Sequence, residues 1–144
     1  MRIGCLFSLL MLLLYFNEAK AQQAETSILV SGAADLVRTD VPGVIRRHQI
    51  GAEVNYFYLY NLSFSGGYEF NHPRANQVSV GGRFYPMEPV FIRLRGLIGS
   101  QSDLALGIGY THNITYRIRL EGMVDYYAVT QVAGLRAGLG ILIN

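Results

Sequence analysis

Two residue types are almost absent from this chain, and each absence narrows what it can be. The sequence holds one cysteine, Cys5, and one lysine, Lys20. Both lie before Ala21, so the rest of the chain has no disulfide to staple it and no lysine to dress a water-facing surface. Long apolar runs are missing too. The one continuous stretch, residues 5–16 with Ser8 as its polar exception, falls short of the roughly 20 residues a membrane-spanning helix needs. No tract is low in complexity and no segment has helical periodicity or capping residues, which leaves one domain built from something other than helices. Net charge is also small. Beyond Ala21, ten Arg stand against nine Asp and Glu, a net of +1 that provides no basic surface for nucleic acid.

Catalytic constellations are equally thin. His48, His72 and His112 fall near different strand ends and lack metal-ligand spacing, and no Ser-His-Asp set can be assembled. Ser100 and Ser102 beside Asp103 are the one tempting group, and a polar loop explains them better. No catalytic, cofactor-binding or metal residue is therefore expected.

The first residues read as an export signal. Arg2 precedes the apolar run, and Ala19-Lys20-Ala21 offers a small-x-small cleavage site. The expected division is a cleaved signal peptide, 1–21, and a single exported domain, 22–144.

What the chain does have is alternation. Over residues 116–126 the charges Arg117, Arg119, Glu121 and Asp125 occupy one parity, while Tyr116, Ile118, Leu120, Val124 and Tyr126 occupy the other. Successive strand residues point to opposite faces, so this is a strand with one charged and one apolar face. Turn residues divide the remainder into seven more such segments, giving strands near 26–37, 48–58, 62–71, 77–85, 90–99, 103–111, 115–127 and 131–143. One face reads apolar on all eight, with no charge upon it. The opposite face carries Asp35, Glu53, Glu69, Arg83, Arg93, Arg95, Arg117, Arg119, Glu121, Asp125 and Arg136, interspersed with glycine, serine and Tyr85.

Which face is inside follows from volume and residue choice. The interior of an eight-stranded barrel has room for a limited set of side chains. Large Tyr, Phe, Ile and Leu from every strand would overfill it, and a glycine-rich surface without lysine suits water poorly. The inverted arrangement fits: small residues leave space inside for Arg and Glu to meet across a lumen. Aromatics agree with it. Tyr56, Tyr58, Phe64, Phe84, Tyr110 and Tyr116 gather near one set of turns and Tyr68, Phe70 and Tyr126 towards the other, flanking an aliphatic band as interface girdles do. The expected fold is an all-β, eight-stranded, antiparallel up-and-down transmembrane β-barrel with a polar, side-chain-filled lumen. Closure is required, because open strand edges cannot be satisfied in hydrocarbon.

The segments Gly81-Gly82-Arg83-Phe84-Tyr85-Pro86, Phe91-Ile92-Arg93-Leu94-Arg95-Gly96-Leu97-Ile98-Gly99 and Arg119-Leu120-Glu121-Gly122-Met123-Val124-Asp125-Tyr126-Tyr127 carry a likeness. In them the chain resembles the small eight-stranded outer-membrane barrels of Gram-negative bacteria, the OmpA/OmpX-like group in its compact Bacteroidetes-type form. The resemblance implies both termini in the periplasm, with outward loops near 38–47, 72–76, 100–102 and 128–130. Members commonly end in an aromatic residue read by the barrel-insertion machinery. This chain ends Leu142-Ile143-Asn144, which bears on the insertion signal and leaves the fold unaffected.

The expected role is a non-enzymatic, structural or membrane-stabilising outer-membrane barrel, monomeric, whose Arg–carboxylate cluster plugs the lumen and fixes strand register. Its partners would be outer-membrane lipids and, during biogenesis, the insertion machinery. Arg38, Arg46, Arg47 and Arg74 crowd the outward loops and are candidate contacts for lipopolysaccharide phosphates. Three alternatives stay open: a narrow ion path, a soluble secreted barrel for a hydrophobic ligand, and a rim-active lipid-modifying enzyme.

Overall fold

Alternating sequences make strands with two chemically distinct faces, and here every such segment finds two neighbours. The computed structural model describes residues 24–40, 48–72 and 75–144; the segment read as a signal peptide lies outside them. The strands are β1 (Ile28–Arg38), β2 (His48–Leu59), β3 (Leu62–His72), β4 (Gln77–Met87), β5 (Val90–Ile98), β6 (Asp103–Asn113), β7 (Ile118–Tyr127) and β8 (Val132–Ile143). Each pairs antiparallel with the next, and β1 pairs with β8 to close the barrel. All eight correspond to the segments read from the alternation, and no strand edge is left open.

The inverted polarity holds along the strands. In β7 exposure alternates without a break, from exposed Ile118 to buried Tyr127. Ile50, Val54, Leu94, Leu106, Ile108 and Leu139 project outward, each about half exposed, while Arg83, Arg95, Arg119 and Arg136 are among the largest fully buried side chains. Tyr56, Tyr58, Phe64, Tyr68, Phe70, Phe84, Tyr110, Tyr116 and Tyr126 are all exposed on the outside. Tyr68 and Phe70 pack edge to face at 4.7 Å, and Tyr58 meets Phe64 at 6.3 Å.

Two departures from the alternation, in β1 and before β7, change where charges point. In β1 the pairing with β8 jumps from Asp35↔Arg136 to Val37↔Leu135, so Leu36 is the extra residue of a β-bulge. The bulge reverses the parity beyond it. Val37 turns outward and Arg38 turns into the lumen, where it is only 7% exposed. Arg38 is therefore no outward-loop contact for lipopolysaccharide; Arg46, Arg47 and Arg74 lie outside the described residues. At the other end, β7 starts at Ile118, later than the alternation suggested. Thr115 Oγ1 accepts hydrogen bonds from the backbone N–H groups of Arg117 (3.3 Å) and Ile118 (3.0 Å), folding residues 114–117 into a turn. Arg117 is consequently exposed, its guanidinium 5.2 Å from the ring of Tyr116, and takes no part in the lumen.

Candidate functional site: an ion-pair chain through the lumen

Inside the barrel, the charged parity of the strands becomes one connected structure. Arg83 of β4 reaches Glu53 of β2 (2.8 Å) and Glu121 of β7 (2.7 Å). Arg93 of β5 approaches Glu53 at 3.9 Å and clasps Asp125 of β7 with two donors, Nε at 3.0 Å among them. Arg95, two residues on, joins Asp125 (3.1 Å) to Glu69 of β3. Glu69 then receives both terminal nitrogens of Arg136 from β8, at 2.9 and 3.0 Å. Arg136 Nε lies 2.8 Å from Asp35 of β1, which pairs with Arg38 at 3.1 Å, and Arg38 ends the series on Asp40 at 3.1 Å.

The result is an alternating series, Glu121–Arg83–Glu53–Arg93–Asp125–Arg95–Glu69–Arg136–Asp35–Arg38–Asp40, in which each link joins an Arg to a carboxylate. Each link is a charge-assisted hydrogen bond or a close ion pair, and bidentate pairs such as Arg136–Glu69 fix orientation as well. Arg119, two residues before Glu121 on the same face, is also buried. Of the residues read from sequence as a luminal cluster, Arg117 alone falls outside the barrel interior.

Small residues make this packing possible. A Cβ on Gly51 would sit 2.6 Å from a carboxylate oxygen of Glu69 and 2.9 Å from Arg136. One on Gly107 would collide with the carboxylate of Asp125, and one on Gly109 with the ring of Phe91. Strand β6 thus gives no charge to the series and supplies space for its neighbours' charges. What remains between Ser31, Glu53, Glu69, Arg83, Arg93 and Arg95 is a void of about 10 Å³, room for about one water-sized group.

Apolar side chains gather towards both ends. Leu29, Phe57, Tyr85, Phe91, Met123 and Leu142 form a cluster on the side of the chain termini. Its rings meet at a tilt, Phe57–Tyr85 at 5.8 Å and Tyr85–Phe91 at 5.3 Å, and Arg83 lies 4.9 Å over Phe91. Leu97, Ala105, Tyr127 and Val132 make a smaller cluster towards the other end. Of the first cluster, the alternation in the sequence had brought out Tyr85 beside the charges. Phe57, Phe91 and Tyr127 share its parity, so strict adherence to period two was the signal that would have found them.

At this rim, Asp103 and Ser102 hold the loops in place. Asp103 accepts hydrogen bonds from Thr130 Oγ1 (2.7 Å) and from the N–H groups of Leu104 (2.8 Å) and Val129 (2.9 Å), which ties the β7–β8 turn to β6. Ser102 donates to the carbonyl of Gly99 at 3.3 Å.

No family model matches the chain, and no curated protein does. Solved structures do match. One, described as de novo design of transmembrane β-barrels, aligns with a TM-score of 0.66 at 13% identity over 85% of this chain and 99% of its own. The de novo designed TMB2.3, solved by solution NMR, gives 0.66 at 20% identity over 85% of this chain and 98% of its own. The N-terminal β-barrel domain of Pseudomonas aeruginosa OprF gives 0.61 at 14% identity, over 84% of this chain and 100% of that domain. The likeness is one of fold: a closed, eight-stranded antiparallel barrel.

Proposed function

We propose that the protein is an integral outer-membrane barrel of a Gram-negative cell, exported by the leader 1–21 and monomeric in the bilayer, with a structural, non-enzymatic role. The observation that carries this reading is the division of charge: ion pairs fill the lumen while the outer surface of the strands is aliphatic between aromatic ends. In water that surface would be an apolar patch far larger than soluble monomers expose. In hydrocarbon it is matched to its solvent, and a charge placed there would cost about 2–4 kcal/mol near the midplane. The ion-pair series acts as a plug, and the space of about 10 Å³ left between Glu53, Glu69, Arg83, Arg93 and Arg95 supports closure over conduction. Arg46, Arg47 and Arg74 are the residues we assign to lipopolysaccharide phosphates, by their sequence positions between β1 and β2 and between β3 and β4.

The test is detergent-dependent folding combined with conductance. The refolded chain should run as a heat-modifiable band on a gel, partition with outer membranes, and leave planar bilayers electrically silent. A mature chain that is soluble and monomeric without detergent would overturn the membrane assignment; unitary conductance steps would overturn the plug.

A further inference from the structure

One arginine of the charged parity is turned out of the lumen. Each Arg of the luminal series stands against a carboxylate, whereas Arg117 is exposed on the outside. Among the described residues its guanidinium has no carboxylate partner; what it meets is the ring of Tyr116, at 5.2 Å. The turn that puts it there is fixed from both sides. Thr115 Oγ1 accepts from the N–H groups of Arg117 and Ile118, and the N–H of Leu142 donates to the Arg117 carbonyl at 2.7 Å. The backbone is thus tied down, and the donors of the guanidinium face outward without an acidic acceptor.

Strand length and the surrounding surface identify the partner that fits. Strand β7 has 10 residues, the length a tilted strand needs to cross hydrocarbon. In a bilayer the turn before it therefore lies at the depth of lipid headgroups, where the amphipathic ring of exposed Tyr116 is also at home. Beside Arg117 and towards the middle of the barrel, the outer surface is branched and apolar. Ile118 stands opposite Ile141 in register, Ile143 follows on the same face of β8, and all three are exposed. A ligand that suits both halves has an oxyanion at one end and hydrocarbon at the other. The planar guanidinium matches phosphate oxygens through paired donors.

We propose that Arg117 and Tyr116, with Ile118, Ile141 and Ile143, form a docking site for one glycerophospholipid. Its phosphate lies on the guanidinium and the start of an acyl chain on the isoleucines. The site rests on the outer-membrane reading. It is tested by titrating the folded barrel, in micelles of an uncharged detergent, with dioleoylphosphatidylglycerol. The Arg117 Nε–H resonance and the methyl resonances of the three isoleucines are followed, and saturable shifts of both are expected. Dioleoylglycerol, which has the chains without the phosphate, should leave Arg117 Nε–H unmoved, and inorganic phosphate should shift it only far more weakly than the lipid does. Arg117→Gln, read on the isoleucine methyls, should weaken lipid binding about ten-fold, the equivalent of one charge-assisted hydrogen bond. Tyr116→Leu should weaken it about three-fold, the equivalent of an exposed cation–π contact, and decides the matter if Arg117→Gln fails to give a heat-modifiable band. Resonances unmoved by the phospholipid would overturn the site, as would equal shifts with dioleoylglycerol or undiminished binding in both variants. Inorganic phosphate as potent as the lipid would leave a plain anion site and refute the lipid. A chain soluble without detergent fails the membrane reading, whereas a detergent-folded barrel indifferent to phosphatidylglycerol fails this site alone.

Discussion

At the scale of single residues, glycines divide into two kinds by what surrounds them. Gly107 lies against the carboxylate of Asp125, whereas Gly122 on the outer face has nothing within 4 Å of where its Cβ would be. Both sit in strand interiors, where glycine otherwise weakens a sheet. Gly107→Val should therefore destabilise the barrel, by roughly 1–3 kcal/mol from overpacking against the ion pairs. Gly122→Ala should be neutral or mildly stabilising through the entropy of the unfolded chain. Urea titration of the folded band in detergent compares the two, and equal effects would contradict the distinction. The pair Arg117 and Arg119 makes a related point. They share a parity and a residue type, yet one is outside and one inside, because the hydroxyl of Thr115 ends the turn between them and the start of β7.

At the scale of elements, the β1 bulge sets which face the end of that strand presents. Leu36 is unmatched in the pairing with β8, so its removal should leave Val37 outside and Arg38 inside in a regular ladder. Deleting Ala33 instead, where Gly32↔Leu139 and Ala34↔Ala137 are in continuous register, transfers one side of the strand to the wrong face. The expected outcome is a folded, heat-modifiable band for the Leu36 deletion and none for the Ala33 deletion; two identical outcomes would count against the bulge. This contrast also marks what could be read from the sequence. The strands and their faces were legible, since the outward positions of eight segments exclude every charge. The bulge was not, because an apolar Leu36 beside an apolar Val37 fits either phase, and only the pairing with β8 selects one. The partners of each Arg were hidden for a different reason. Parity gives the face but not the height along the barrel axis, which depends on the stagger of all the strands together. Nothing local says that Arg95 of β5 meets Glu69 of β3 and Asp125 of β7, where Arg93 meets Glu53 and Asp125.

At the scale of the molecule, the order of signs in the series has an energetic consequence. Every Arg in it stands between two carboxylates. Arg95→Gln withdraws the charge and the two donors that join Glu69 to Asp125, in a poorly solvated lumen where lone charge is costly. Asp125→Asn keeps the side chain's size and one acceptor oxygen for Arg93 and Arg95. Arg95→Gln should therefore cost about 3–5 kcal/mol, the range for stranding a buried partner. Asp125→Asn should cost less, about 1–3 kcal/mol for disturbed hydrogen bonds. The stabilities of the two variants, measured side by side in the same detergent, check the order; Asp125→Asn as the more damaging change would refute the alternation as the governing feature.

The pairing of strands within that series bears on how the barrel is assembled in time. Among its links between strands, none joins the two arms of one hairpin: they run β2 to β4, β4 to β7, β2 to β5, β5 to β7, β3 to β5, β3 to β8 and, across the seam, β8 to β1. A row of finished hairpins thus leaves nearly all of these charges without their partners, and hydration must serve them until the first and last strands meet. Drying of the lumen is then coupled to shutting the seam, where Arg136 and Asp35 stand opposite each other in register. Interactions that arise after the rate-limiting step govern escape more than arrival. The ion pairs accordingly act as a lock on the finished barrel: a weakened link lets it open sooner, while the rate at which it forms is nearly unchanged.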